Sequence, residues 1–315
     1  MHAITYTPSG DIQLRDVPAP EPGPSQIRVR VRASALNRAD ILQRKGRYPA
    51  PSGWPADIPG LEYAGEVETL GDGVTRWKPG DRVMGLVGGG AHAEYVVVHQ
   101  DETMAVPPGM TFTDAAAIPE AFLTAWDALV TRGRLQAGER VLIHAVGSGV
   151  GTAAVQLAKR LGATTIGTSR SPEKLARAQE LGLDEAVGTD DPSRPFPPAH
   201  VILDVLGGPA FAANLEALAP RGRLVLLGFL QGARAEVSLE PILRKRLEVI
   251  GSVMRTRGLE ERIELVAGFS RDVLPAFASG ALRPVVGETR AFTDIAAAHA
   301  VMERDESFGK IVLAW

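Results

Sequence analysis

Three glycines in five residues, Gly147, Gly149 and Gly151, follow the apolar run "RVLIHAV" that begins at Arg140. Glycine loses more conformational freedom on folding than any other residue, so such a cluster implies a backbone that something approaches closely. Between a strand and a helix, that something is an anion. Free N–H groups at the helix start point at it, and the helix dipole favours negative charge. In a first strand-to-helix turn, glycines permit the tight bend, the approach of a pyrophosphate and close helix–strand packing. A strict G-x-G-x-x-G would need glycine at position 152, where the chain has Thr152. The spacing alone is therefore a partial dinucleotide fingerprint, and its place ahead of an amphipathic helix adds the weight that spacing lacks.

A second signal sits about 20 residues on, where an NAD-selective site usually carries an acid for the ribose hydroxyls. The stretch there is "GTSRSPEK", with Ser169, Arg170 and Lys174 and no carboxylate before Glu173. Either cation alone reads as a solvated charge. Together at one strand end they suit a 2′-phosphate, which arginine grips bidentately, and NADPH is the expected cofactor. The chain has no cysteine, which excludes disulfides, thiolate nucleophiles and Cys-ligated zinc. Its 6 histidines are scattered without ligand spacing, and His144 at a strand end reads as a satisfied core residue.

The elements that must hold these groups fall into two regions, as 315 residues lead one to expect. "QIRVRVRAS" alternates strictly, with Ile27, Val29 and Val31 on one face and Arg28, Arg30 and Arg32 on the other. That arginine stripe reads as a solvated strand face whose charge nearby acids cancel. "AGEVETLGDGV", "WKPGDRVMG" and "HAEYVVV" add strands and turns. After about Thr113 the rhythm changes: "DAAAIPEAFLTAWDALV" is helical, and strands then alternate with helices. In "GVGTAAVQLAKRLG", Val150, Ala154, Leu157 and Leu161 form one apolar stripe, and in "SPEKLARAQELG", Ser171 caps a helix with Pro172 at its first position. Continuous apolar strands in β-α alternation imply a doubly wound parallel sheet. "DDPSRPFPPAH" reads as a surface loop, and a helical stretch runs from Arg255 to about Leu282. The tail, ending in "KIVLAW", returns to complete the N-terminal β domain. The expected division is 1–117 and 257–315 for a β-rich catalytic domain, with 118–256 inserted as the dinucleotide domain.

A net charge of −3 and the lack of an aromatic-basic face argue against nucleic acid or anionic lipid as partner. Residues 1–30 lack a signal peptide, and no run of about 18 apolar residues exists to cross a bilayer. A cytoplasmic enzyme is the expectation.

With both regions read, the chain resembles the zeta-crystallin-like quinone oxidoreductases of the zinc-free medium-chain dehydrogenase/reductase superfamily, most of all the tumour-suppressor-inducible branch. The likeness rests on "ASALNRADILQRKGRYPAP", "PGLEYAGEV", "KPGDRV", "AAAIPEAFLTAWDAL", "LIHAVGSGVGTAAVQLAKRLGA", "DVLGG" and "FGKIVL", in order over nearly the whole length. It implies an α/β fold in which a Rossmann domain is inserted into a GroES-like β-rich domain, with NADPH in the cleft between them. The family loop A-x-x-G-x-x-G is matched at Ala145 and Gly151, with Ser148 at the middle glycine. Carried over by position, Asn37 and Tyr48 flank the nicotinamide end, and Ser148, Gly149 and Val150 lie along the pyrophosphate. Ser169, Arg170 and Lys174 take the adenosine end. Gly228, Phe229 and Leu230 follow a cofactor-side strand, Ser252, Val253 and Met254 match another, and Gly309 with Lys310 match the terminal motif. A tyrosine that relatives use near Thr189 is missing. At the places of the zinc ligands this chain has Asn37 and Leu61, with Glu62 left without its partners, so no metal is expected.

The resemblance implies hydride transfer from NADPH to a quinone, chemistry that the cofactor brings and the protein positions. Asn37 and Tyr48 are the candidate catalytic residues, orienting cofactor and acceptor by hydrogen bonds; loop packing is the alternative role for Tyr48. The rival reactions are reduction of an activated alkene or enoyl thioester, nucleic-acid binding, and a structural role that uses NADPH for stability alone. A homodimer through the sheet edge at "LEVIGSVM" is expected.

Overall fold

The computed structural model describes residues 1–189 and 195–315. Of the loop expected over "DDPSRPFPPAH", positions 190–194 lie outside the described residues. The chain divides into two compact units, Met1–Leu123 with Met254–Trp315, and Thr124–Val253.

The first unit is built on a sheet in the order Val286–Ala291, Lys310–Ala314, Gln26–Ala35, Glu62–Leu70, Arg82–Leu86, Thr103–Ala105, with Tyr95–His99 also paired to Gln26–Ala35. The C-terminal strand Lys310–Ala314 runs antiparallel to Gln26–Ala35, so the two chain segments of this unit share one sheet. Period-two alternation buries Ile27, Val29 and Val31, and they pack against Tyr63, Val67, Val83 and Val96. The opposite face carries the arginines as a cross-strand ion ladder. Arg28 and Arg30 both reach Glu68, and Arg32 reaches Glu66, on the neighbouring strand.

The stretch "DAAAIPEAFLTAWDALV", expected to be helical, is helical in separate pieces. One helix covers Phe112–Ala116 and a second begins at Pro119 and runs to Trp126, followed by a wide helical turn over Asp127–Arg132. Pro119 lacks an N–H and disfavours the α conformation in the residue before it, which ends the first helix and opens the second. The expected stretch from Arg255 is likewise two helices, Leu259–Asp272 and Leu274–Ala278, the second with a proline in its first turn.

The second unit is a six-stranded sheet in which every neighbouring pair is parallel. Its spatial order is Glu185–Gly188, Thr164–Ser169, Arg140–Ile143, Ala199–Asp204, Leu218–Leu226, Glu248–Gly251. Numbered along the chain within this unit the order is 3-2-1-4-5-6, the doubly wound arrangement, with its reversal beside the first strand. Leu142, Ile166, Ile202 and Leu224 from four of these strands join Leu215 and Leu218 in one core cluster.

Two local expectations need correction. The helix Gly149–Arg160 is not apolar on one stripe only: every residue from Gly151 to Ala158 is buried, while Val150 and Leu161 are half-buried. Its glycine and alanine positions let neighbours pack close, and its polar residues are satisfied locally, Thr152 Oγ1 donating to Gly149 O and Gln156 Nε2 to Thr152 O. The strand expected through Met254 stops at Gly251, so Ser252, Val253 and Met254 lie beyond its end. There the Ser252 hydroxyl turns aside to donate to Asp127 Oδ2 at 2.7 Å.

Candidate functional site

In the second unit the first strand ends at Ile143 and the helix starts at Gly149. Ala145 stands in the left-handed region at φ 48°, costly for any residue with a Cβ. Backbone bonds on both sides hold it there: Val146 N donates to Thr168 O at 3.0 Å and Ser148 N to Ala145 O at 2.8 Å. Ser148 caps the helix, its Oγ accepting from Gly151 N at 3.0 Å. At Gly151 a Cβ would fall 2.6 Å from Val146 O and 2.7 Å from Ala145 O, so only glycine lets the helix lie this close to the turn. The amides of Gly149 and Val150 donate to no described residue. Two open N–H groups at the positive end of a 12-residue helix fit a phosphate, whose oxygens accept and whose charge the dipole favours.

Behind the turn, His144 is buried and fully satisfied. Its Nδ1 lies 2.9 Å from Thr168 Oγ1 and its Nε2 2.7 Å from Asn214 Oδ1. Asn214 Nδ2 donates to Asp204 Oδ2 at 3.1 Å, which turns the amide oxygen toward the ring and makes Nε2 the protonated nitrogen. Burial holds the imidazole below its ordinary value, in its neutral form. His144 is the core residue that the sequence suggested.

The remaining second-unit residues follow the ends of neighbouring parallel strands. Ser169 closes Thr164–Ser169, and Arg170 after it is exposed. Ser171 caps the next helix by accepting from Lys174 N at 3.2 Å, and its hydroxyl donates to Glu173 Oε2 at 2.7 Å. The first carboxylate after this strand is thus turned onto a helix cap. Gly228, Phe229 and Leu230 follow Leu218–Leu226, with Phe229 and Leu230 exposed, and Ser252 and Val253 follow Glu248–Gly251. Because the strands are parallel, their carboxyl ends and the glycine turn share one edge of the sheet, the edge at which doubly wound folds bind ligands.

The first unit gathers a different kind of site, made of side chains. Lys310 Nζ donates to Leu36 O at 2.7 Å and Asn37 Oδ1 at 2.6 Å, and lies 2.6 Å from Glu62 Oε1. Asn37 Nδ2 also donates to Glu62 Oε1, at 3.0 Å, and the Glu120 amide donates to Glu62 Oε2 at 2.8 Å. Gly309, at φ 76° with a Cβ position 2.2 Å from Val285 O, is the only residue type that lets the chain deliver Lys310 there. Arg255 stacks over the Tyr48 ring, 5.0 Å from its centroid, and Nη1 donates to Tyr48 O at 2.9 Å. Burial pushes the Tyr48 hydroxyl up, the negative charge of Glu120 adds to this, and the phenol stays protonated. Asn37 and Tyr48, the two catalytic candidates, thus belong to one unit, each anchored by a buried cation.

Glu120 and the closed Glu62–Lys310 pair were not singled out in the sequence. One signal was present: an acidic residue inside the apolar run "AAAIPEAFL", where a lone charge must be paired or neutralised. At the places where zinc-dependent relatives carry ligands, Asn37 and Glu62 are bound to Lys310 and Leu61 is buried apolar. Among the described residues no group of three or more His, Cys, Asp or Glu side chains could hold a metal ion.

The alcohol dehydrogenase GroES-like domain model matches residues 23–108, and the model described as zinc-binding dehydrogenase matches residues 149–269. A quinone oxidoreductase of Pseudomonas aeruginosa is 34% identical over 320 residues, spanning 96% of this chain and 95% of that protein. The chain belongs to the zinc-free, quinone oxidoreductase-like group of the medium-chain dehydrogenase/reductase superfamily. The first unit carries its GroES-like domain and the second its Rossmann-like domain. A polyketide synthase of Streptomyces halstedii, GfsB, is 41% identical over 197 residues, 61% of this chain, but the match spans only 3% of that much longer protein. Among solved structures, a mycobacterial protein complexed with NADPH superposes with a TM-score of 0.89 at 27% identity, covering 100% of both chains. The CurK enoyl reductase superposes with a TM-score of 0.84 at 26% identity, covering 99% of this chain and 98% of its own.

Proposed function

We propose that this member of the superfamily is an NADPH:quinone oxidoreductase that needs no metal. The observation that carries the reading is the turn Ala145–Gly151, whose strained Ala145, Ser148 cap and two open amides are suited to a dinucleotide pyrophosphate. Arg170 and Lys174, at the strand end where an acid would select NAD, support NADPH. NADPH, when bound, supplies the hydride; Asn37 and Tyr48 orient it and the acceptor. The Asn37 side chain is fixed by Lys310 and Glu62, and the Tyr48 ring lies under the Arg255 guanidinium, so neither must be ordered from a free state during reaction. The name and near-complete coverage of the Pseudomonas relative support a quinone as acceptor.

A second reading is favoured by the polyketide synthase segment and the enoyl reductase: reduction of an activated C=C bond in an enoyl thioester. Parallel turnover assays with an ortho-quinone and a short enoyl thioester, each with NADPH and NADH, separate the two. The first reading expects the quinone and NADPH to give the higher kcat/KM. A larger kcat/KM with the thioester transfers the assignment to the second reading, and NADPH binding without turnover of either overturns both. The exposed Val249 in the edge strand Glu248–Gly251 supports a homodimer through that edge, which sedimentation at graded concentrations tests.

A further inference from the structure

The Asn37 side chain sits between two opposite charges of the first unit. Lys310 Nζ donates to its Oδ1 at 2.6 Å, and its Nδ2 donates to Glu62 Oε1 at 3.0 Å. Those charges decide which end of the amide is oxygen. Turned over, it would set its N–H groups against an ammonium and its oxygen against a carboxylate, and both contacts would repel. Nδ2 also donates to Ala35 O at 3.2 Å. A side-chain amide has two N–H donors and one oxygen with two lone pairs. Asn37 has therefore placed both donors within the protein, and it has none for a ligand. Its backbone is held as well, the amide donating to Asp40 Oδ2 at 2.7 Å and the carbonyl accepting from Asp40 N at 3.0 Å.

Lys310 is equally occupied. An ammonium has three N–H groups, and these meet Leu36 O, Asn37 Oδ1 and Glu62 Oε1. At 5% exposure, with every donor in use, Lys310 reaches a ligand only through Asn37. A buried cation is tolerated when it is paired and hydrogen-bonded, and here both conditions are met. Tyr48 is the opposite case. Its ring lies under Arg255 and its backbone oxygen accepts from Arg255 Nη1, yet its hydroxyl bonds no other described residue. That half-buried phenol keeps its proton and is a donor.

We propose that Lys310 is a positioning residue: it sets the Asn37 amide to receive a hydrogen bond and not to give one, so Asn37 serves a donor on the cofactor and the acceptor's oxygens fall to the Tyr48 hydroxyl. This rests on the oxidoreductase reading above. The sorting follows from the chemistry of the two ligands. A quinone, like the conjugated carbonyl of an enoyl thioester, offers only oxygens that receive. The nicotinamide half of NADPH carries the N–H groups of its carboxamide and the O–H groups of its ribose, which give. Two oxygens with no hydrogen between them repel, so Asn37 also disfavours a quinone in the cofactor's place.

The test measures NADPH affinity by nicotinamide fluorescence, and the KM for the ortho-quinone. It compares the wild type with Asn37→Ala, Lys310→Ala, the double variant and Tyr48→Phe. Either of the first two loses one hydrogen bond to the cofactor, so NADPH affinity is expected to fall by about three- to tenfold in each. The double variant is expected to fall no further, because both substitutions remove the same bond. Methylammonium, a cation like the missing head group, is expected to restore NADPH affinity to Lys310→Ala and not to the double variant. The quinone KM is expected to rise more in Tyr48→Phe than in Asn37→Ala. Additive losses, an unaltered affinity in Lys310→Ala, no rescue, or a quinone KM that rises more in Asn37→Ala each overturns the proposal. Affinity is read without turnover. A wild type that binds NADPH but reduces neither acceptor thus overturns the oxidoreductase reading and the role of Tyr48, while the affinities still decide the role of Lys310. Should Lys310→Ala fail to fold, Lys310→Arg keeps the cation on a planar head and must weaken NADPH binding in the wild-type background but not beside Asn37→Ala. An equal loss in both backgrounds, or none in either, overturns the proposal.

Discussion

The two units solve the placement of polar groups in opposite ways. In the second, seven consecutive residues, Ala145–Gly151, make the candidate anion site from backbone alone, and the buried side chains behind it, His144, Thr168, Asn214 and Asp204, all find partners. In the first, the site is assembled from Asn37, Tyr48, Glu62, Glu120, Arg255 and Lys310, residues spread along most of the chain, and one carboxyl oxygen is left unpaired. A backbone site needs only local geometry and is preorganised by it. A side-chain site depends on every element that delivers a residue. On the proposed reading the second unit holds the cofactor by backbone, and the first presents side chains to the acceptor.

That contrast breaks most visibly at Lys310. Lys310→Met leaves the buried Glu62 carboxylate without its cation and should cost about 3–5 kcal/mol of stability in denaturant unfolding. A loss under 1 kcal/mol would mean that the first-unit cluster is not the closed ion pair described. In the second unit, Arg170→Ala with Lys174→Ala should weaken NADPH by roughly 1.5–3 kcal/mol while sparing NADH, because a charge-assisted phosphate contact is lost. Equal losses for both cofactors would remove the 2′-phosphate from that strand end. Gly151→Ala places a Cβ against two carbonyl oxygens of the turn and should cost about 1–3 kcal/mol of stability, with weaker NADPH binding. Unchanged stability and affinity would show that the helix need not lie so close.

A further effect is the pH dependence of stability set by Glu120. Its carboxyl is raised in the folded chain from 4.5 to about 7, so its contribution is fully present below the ordinary carboxyl range and is lost as pH rises to neutrality. Melting temperatures of the wild type should therefore decline more than those of Glu120→Gln between pH 5 and pH 8, by a margin that differential scanning calorimetry resolves. Parallel curves for the two proteins would place an ionised carboxylate at Glu120 throughout.

How much of this was legible in the sequence follows from the same contrast. The glycine turn, the Ser171 cap and the alternating Ile27–Val31 face are local, and spacing exposes them. The doubly wound sheet follows from apolar strands alternating with helices. The helical character around Pro119 was legible, and the break there follows from the local rules for proline. The end of the strand at Gly251 was not legible: the Ser252 side chain beyond it bonds Asp127, 125 positions away, and no local pattern marks the stop. The Glu62–Lys310 and Glu120 arrangement joins residues whose separations of 58 and 248 positions leave no periodic trace.

The central claim, that the turn at Ala145–Gly151 seats a dinucleotide phosphate on open helix amides, is tested most directly by titrating the purified protein into NADPH and following nicotinamide fluorescence. The account predicts a saturable change in intensity or wavelength, tighter for NADPH than for NADH and weakened in Gly151→Ala. A fluorescence unaltered at every protein concentration would contradict it.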